Sequence, residues 1–533
     1  MQTRILEVTS FPQGPSYRVL KQDPFTKWPK EDGFRLGMAG IWNLLFRAGA
    51  NPVIVKGSEL TAPCAGEVLY VYSDDRFPQE TEILLLKWLG EGGRIVATGN
   101  ADAWRFILPA GVTAEIARYD NPYAALGWIF EDVDPQLIAP PKWPYTKILT
   151  QPDRRIECYG RIAALHGERQ TPSRALITVM DEAPAIVRFG NVWYLNGNPF
   201  AALQSWMQGQ EDLEPWMAWR HRLFWLDEFG AYLCNTLRTH NLIPQLTTRM
   251  SGLAEITVVL KHDLDFSRDT TYLELENKAN IAGVYPILRD SNTAHWVRKL
   301  GTQPKNESAF HFNTARYSRV VEAARNLLLN LQKRPARLDR NAIQGTGLLE
   351  QVRWAKRHGV GIETLHRHAS FLIYPELVDA LDRVYKELPE VLGSNSFFRA
   401  QILRWGADVV DGMRGTLGSF PGPQFPYWFP FRLAHAGDGG RMLRGWESTC
   451  MMECEPDLVW QLLDHDVPDL TQRVIVLNYH PAHANGKTFS AEGCKGWFSE
   501  IVAELQKRGI PITNLRDVYQ ACNKSSALAE KIK

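Results

Sequence analysis

Residues Ile256 to Leu260 form an unbroken β-branched and apolar run, and that run is the strongest constraint on how this chain can fold. It is the signature of a buried strand, of the kind found in parallel sheets covered by helices. It ends in Lys261-His262-Asp263-Leu264-Asp265, where three side chains able to hold a metal or move a proton fall within four positions. The C-terminal edge of a parallel strand is where α/β folds and barrels place their chemistry. Alternation along an extended chain points Asp263 and Asp265 to the same side. Two ionised carboxylates that close repel unless a cation or a shared proton lies between them. The stretch Glu255 to Asp269 therefore predicts an α/β fold carrying a metal or acid–base site.

The flanking sequence divides in two around this strand. At 533 residues the chain is long enough for two or three domains. Over residues 1–210, strands are predicted at 51–56, 67–72 and 93–98, with an amphipathic helix at 78–89 whose apolar stripe is Leu84, Leu85, Trp88 and Leu89. The glycines of the 90–93 turn supply its left-handed cap, and 185–195 reads as a hairpin around Gly190-Asn191. Strand, helix, strand in this order predicts a doubly wound parallel sheet. Residues 211–250 carry a Trp-rich stretch, apolar on most faces from Trp216 to Leu233, predicted to be a buried helical connector. Residues 251–525 alternate again: helix 271–281, strand 284–288, strand 308–312, helix 317–331, strand 361–365, helix 375–388, strand 473–479, helix 497–508 and a short strand at 510–512. This half is α/β and is expected to be an incomplete barrel.

Lys plus Arg number 60 and Asp plus Glu 59, so nothing in the charge favours nucleic acid or an anionic membrane. No window approaches the roughly 18 apolar residues of a membrane helix, and no secretory signal opens the chain. Seven scattered cysteines give no disulfide framework, and a cytoplasmic location is expected. No glycine motif for a nucleotide phosphate appears. The 18 tryptophans suit stacking on sugar faces, although most are expected in the core.

Asp263 and Asp265 read as a base plus a metal ligand, the competing reading being N-caps of the following helix. His311, His366 and His368 stand at or near strand ends. Catalytic zinc takes three protein ligands and keeps one position open, and Asp265 with two of these three histidines makes such a set. His480 follows the buried strand 473–479 and could protonate a leaving group, since imidazole titrates near working pH. His483 is followed by a turn and is the weaker candidate.

Two resemblances extend this reading. The strand pattern, GGRIVATGN and VWYLNGNP make residues 1–205 resemble the class I glutamine amidotransferase-like fold, which places a nucleophilic cysteine on the turn after its central strand. Here that turn is Thr98-Gly99-Asn100-Ala101-Asp102, Cys64 falls too early and His166 stands in HGE out of context, so this half is expected to be non-catalytic. VVLKHDLD, AGVYPIL, SAFHF, HRHASF and VLNYHP, in that order over 253–520, resemble the polysaccharide deacetylase (NodB-homology) family, in its HDxD branch. That resemblance implies a distorted (β/α) barrel and a divalent metal, zinc first among candidates. The implied reaction removes an acetyl group from a sugar or glycoconjugate. It implies Asp263 as base, Asp265 as metal ligand, His311 and His368 as metal histidines with His366 able to replace either, and His480 as acid. The family's His-[Ser/Thr]-x-x-His motif is absent. Its base-steadying arginine could be Arg399 or Arg414, neither in a matching motif. The loop 418–430, GSFPGPQFPYWFP, is a candidate wall for a sugar ring, or a plain surface loop. Two alternatives stay open: a glycosyltransferase using Asp263-Leu264-Asp265 as a DxD motif, and a non-catalytic sugar-binding protein of the same fold.

Overall fold

The computed structural model describes residues 3–7, 53–109 with short breaks, strands between 113 and 196, 233–243, 252–313, 347–369, 374–398, 430–434, 442–464, 472–481 and 494–532, plus a few isolated positions. The connector around Trp216, the helix at 317–331, Arg399, Arg414, His483 and the loop 418–430 (apart from Pro430) lie outside the described residues.

Among the described residues the first sheet has nine strands. Val53–Lys56, Thr3–Glu7, Val68–Ser73 and Arg94–Gly99 run parallel, and this order, with the first strand in sequence inside the second, is that of a doubly wound sheet. The helix Gln79–Gly90 connects the last two, burying Leu85 and Trp88, and Gly92 takes the left-handed conformation at its end with φ 85°. Val192–Leu195 continues the parallel set, then pairs antiparallel with Thr178–Phe189 around the expected Gly190-Asn191 hairpin. Three further antiparallel strands, Glu157–His166, Ala124–Ile129 and Gln136–Ala139, extend the sheet beyond the strands read from sequence. After Gly99 the chain enters a short 3-10 turn, Ala101–Trp104, whose Trp104 is fully buried.

The second half closes into a barrel of seven parallel strands: β1 Ile256–Lys261, β2 Val284–Leu288, β3 Glu307–Asn313, β4 Thr364–Ala369, β5 Gly393–Phe398, β6 Met442–Met452 and β7 Arg473–Asn478. The barrel is closed rather than incomplete, because β1 pairs with β7 along its whole length and with β2 at Lys261↔Val284. The lower half of β1 instead pairs with Ile512–Thr513, so the seam is shut only at its C-terminal end. That is the distortion of this (β/α) barrel.

Helices α1 Thr271–Ala279, α2 Thr293–Gly301, α3 Leu348–Arg357, α4 Tyr374–Glu387, α5 Pro456–Asp464 and α6 Cys494–Lys507 cover its outside. Val258 and Leu260 of β1 face outward, in one buried cluster with Leu458 and Leu462 of α5 and Phe498 and Ile501 of α6. The opposite face of the strand looks inward, where Val259, Val284, Ala309 and Val476 pack with Leu515, Val518 and Tyr519 of the last helix, α7 Leu515–Ile532. Helix α7 sits at the N-terminal end of the barrel: the Arg516 amide donates to Glu307 at the start of β3, and the Tyr519 hydroxyl to the carbonyl of Ser394 at the start of β5. Apolar filling at this end and polar residues at the other leave one open mouth, at the C-terminal ends of the strands.

Candidate active site

Asp263 lies just past the end of β1, and Lys261, two residues earlier, shares its inward face. Lys261 Nζ is 3.1 Å from Asp263 Oδ1 and fully buried. The Asn478 amide, at the end of β7, donates to Asp263 Oδ2 over 2.7 Å. His311 of β3 brings Nδ1 to 3.1 Å from Oδ1. Burial alone would raise the Asp263 pKa, but the positive charge around it, that of Lys261 first, outweighs burial and holds the carboxyl well below its ordinary range. Asp263 is therefore an ionised acceptor, steadied by Lys261 and Asn478.

Asp265, His311 and His368 form a second group. Asp265 Oδ1 is 3.4 Å from His311 Nε2 and 3.0 Å from His368 Nδ1, and one donor atom from each of the three lies within 4.8 Å of the others. Neither Asp265 Oδ1 nor either nitrogen of His311 makes an aligned hydrogen bond among the described residues. Burial lowers the His311 pKa, keeping the imidazole neutral, the form in which it binds a cation. One carboxylate and two imidazoles from three strand ends would suit zinc or a similar divalent ion. The donor set fits a metal.

His366 lies apart from it. It is fully buried one layer deeper in the barrel, with Nε2 3.1 Å from Thr364 Oγ1. β4 runs through Ala369, so both histidines belong to the strand itself rather than to a strand-to-loop junction. The two share its inward face, and the difference between them is depth.

His480 approaches from β7. Its Nε2 is 3.8 Å from Asp263 Oδ2 and 3.7 Å from Asp265 Oδ2, so it faces both aspartates across the mouth. Glu453, just past the end of β6, accepts from both the backbone amide and Nδ1 of His480, at 2.7 and 2.8 Å. Burial opposes the imidazolium, but the hydrogen bond to Glu453 and the charge of Asp265 prevail and raise its pKa to about 9.

The aspartates do not cap a helix. α1 begins at Thr271, whose amide is bonded by Asp269 Oδ1 at 2.8 Å. Two residues flanking the site, Phe266 and Glu453, have positive φ of 54° and 48°, which costs energy in residues with a Cβ. The Phe266 turn is held by Asn292, whose amide donates to the Phe266 carbonyl over 2.8 Å, and by Trp296, which donates to the Ser267 carbonyl over 2.8 Å.

No protein-family model matches the chain, and no curated protein matches it in sequence. Among solved structures it is similar to an exo-β-1,4-mannosidase from Opitutaceae bacterium strain TAV5, at 14% identity over 46% of this chain and 36% of that one, with TM-score 0.28. It is similar to a peptidoglycan N-acetylglucosamine deacetylase, at 9% identity over 50% of this chain and 93% of that one, TM-score 0.25. A third is a CE4-family pseudoenzyme from Bacillus anthracis, at 11% identity over 55% of this chain and 81% of that one, TM-score 0.23. The chain spans about a third of the mannosidase. Likenesses this distant assign no activity, and the chemistry rests on the side chains.

Sequence reasoning did not find Lys261, Asn478 or Glu453. Lys261 carried a signal, since alternation places it beside Asp263. Asn478 carried a weaker one, two residues before His480 on a recognisable strand. Glu453 carried none, because the strand that delivers it went unrecognised.

Proposed function

We propose that this protein is a metal-dependent hydrolase that removes an acetyl group from an acetylated sugar or glycoconjugate. The observation that carries the reading is the meeting of two functional groups at one barrel mouth. The donor set Asp265, His311 and His368 lies directly beside an ionised Asp263 and a protonated His480. Asp265, His311 and His368 would hold the ion, with His366 beneath them as part of the barrel filling. Bound there, a divalent metal supplies Lewis acidity, polarising the acyl carbonyl and lowering the pKa of water.

Asp263 takes the proton of the attacking water. Its carboxylate is kept ionised and in one orientation by Lys261 and Asn478, so no rearrangement precedes the transfer. Its depressed pKa makes it a weak base, suited to water whose own pKa a bound metal would lower. His480 gives its proton to the departing nitrogen or oxygen, and Glu453 fixes the ring so that Nε2 points at the reacting centre. Oxygen-only donors would suit a metal clamped on a nucleotide diphosphate, so two imidazoles favour the hydrolase over a DxD transferase.

The test measures bound metal and acetate release on the same purified sample, with N-acetylated and O-acetylated oligosaccharides as substrates. Stoichiometric zinc or cobalt with acetate release supports the reading. Tight metal without acetate release from any acetylated sugar would reduce the protein to a binding module of this fold.

A further inference from the structure

His262, between Lys261 and the base, has no part in the chemistry above, yet it is fully buried and doubly hydrogen-bonded. Alternation turns it to the outside of the barrel, away from any substrate. Its ring stacks on Tyr272 of α1 at 4.6 Å and meets Phe498 of α6 edge-on at 5.3 Å. Nδ1 lies 2.8 Å from the Tyr479 carbonyl, which can only accept, so Nδ1 carries a proton. Nε2 lies 2.9 Å from Glu276 Oε1, and the other Glu276 oxygen accepts from the Tyr285 hydroxyl. Glu276 reaches this place only because residue 283 is glycine: a Cβ there would stand 2.2 Å from its carboxylate.

The carbonyl that His262 binds belongs to the peptide linking Tyr479 to His480. The same Tyr479 donates its hydroxyl to the Cys454 carbonyl over 2.6 Å, next to the Glu453 that orients His480. The residue before the base thus grips the residue before the acid, and the second of these grips the turn that carries the acid's partner.

Resting on the hydrolase reading, we propose that His262 is a positioning residue whose bond to the Tyr479 carbonyl sets the distance between His480 and Asp263. Displacing an acid by about 1 Å can cost on the order of 100-fold in rate. The two bonds of His262 can be separated, because an Asn amide reaches the place of Nδ1 and a Gln amide the place of Nε2. His262→Asn keeps the grip on Tyr479 and loses Glu276, and His262→Gln does the reverse.

The experiment uses the intact 533-residue chain loaded with metal. For His262→Gln the expected result is a kcat about 10- to 100-fold lower on an N-acetylated oligosaccharide, with KM and metal content unchanged. The loss should be much smaller on 4-nitrophenyl acetate, whose leaving group needs no proton. His262→Asn should stay within about threefold of wild type. Crystal structures of the two variants give a readout free of activity: the separation of His480 Nε2 from Asp263 Oδ2, 3.8 Å here, should widen only in His262→Gln. Equal losses in both variants that follow their thermal stability, or an unwidened separation in His262→Gln, would overturn the proposal. If wild type releases acetate from neither substrate, the hydrolase reading fails and the two crystal structures still decide the clamp.

Discussion

Glu307 and His311 stand four residues apart on β3, both facing into the barrel, and their surroundings differ in kind. At the N-terminal end Glu307 has both oxygens occupied, one by the Thr364 hydroxyl and one by the Arg516 amide, under the cover of α7. At the C-terminal end neither nitrogen of His311 makes an aligned hydrogen bond among the described residues, although two aspartates stand within 3.4 Å. A buried polar group left without aligned partners costs stability. The lower end is built to persist. The upper end gathers one ligand atom each from Asp265, His311 and His368 within 4.8 Å of one another.

The sharpest way to break this contrast is to change the aspartates singly. Asp263→Asn should keep the metal and lower kcat on the order of 10²- to 10⁴-fold, because the attacking water loses its proton acceptor. Asp265→Asn should lose the metal, since it removes the only anionic donor of the set. Both changes are nearly isosteric, so metal analysis and acetate release on the two variants side by side separate the roles. Equal metal occupancy in both would sink the assignment.

A smaller effect is expected at the acid. Glu453→Gln keeps a hydrogen-bonding atom near His480 but removes the charge that helps to hold the imidazolium. In metal-free protein the His480 titration midpoint should fall from about 9 toward its ordinary 6.5, readable by NMR. The sign for stability follows: a histidine whose pKa is raised on folding stabilises fully below about 6.5 and loses that contribution as pH rises through about 9. The wild-type excess over Glu453→Gln in chelator should therefore shrink across that window. A midpoint unmoved by the substitution would assign the shift to Asp263 and Asp265 alone.

How much of this was legible follows from where each contact comes from. β1, β2 and β7 are apolar runs and declared themselves, and with them came Asp263, Asp265 and His480. β5 and β6 did not. Gly393-Ser394-Asn395-Ser396 is small and polar on both faces, Ser394 bonding Tyr385 of α4 and Asn395 the Ser448 carbonyl, and Gly445 and Glu447 interrupt the pattern of β6. Without those two strands the barrel looked incomplete and Glu453 had no address. The histidine ligands were narrowed only by depth: His366 and His368 share a face and a strand, and spacing cannot say which of them reaches the mouth. The antiparallel extension of the first sheet was missed as well: Ala124–Ile129 is apolar but lacks, apart from Ile129, the β-branched residues that mark β1.

The last and smallest effect belongs to the sealed end. Glu307 is 1% exposed, and burial raises its pKa to about 7 despite the hydrogen bonds from Thr364 and Arg516. An acid whose pKa is raised on folding keeps its proton more readily in the native state. Native stability is therefore unpenalised below the unfolded value near 4.5, declines as pH rises to about 7 and levels off above it. The full shift is on the order of 3 kcal/mol. Glu307→Gln keeps an acceptor for Thr364 and cannot ionise, so it should equal or trail wild type at pH 5 and exceed it by roughly that amount at pH 8. Denaturant unfolding at the two pH values measures the difference. Activity per folded molecule should be unchanged, because α7 and the apolar filling separate this end from the mouth. A Glu307→Gln variant with normal stability but impaired acetate release would show that the two ends of the barrel communicate, and the contrast between them would then have to be given up.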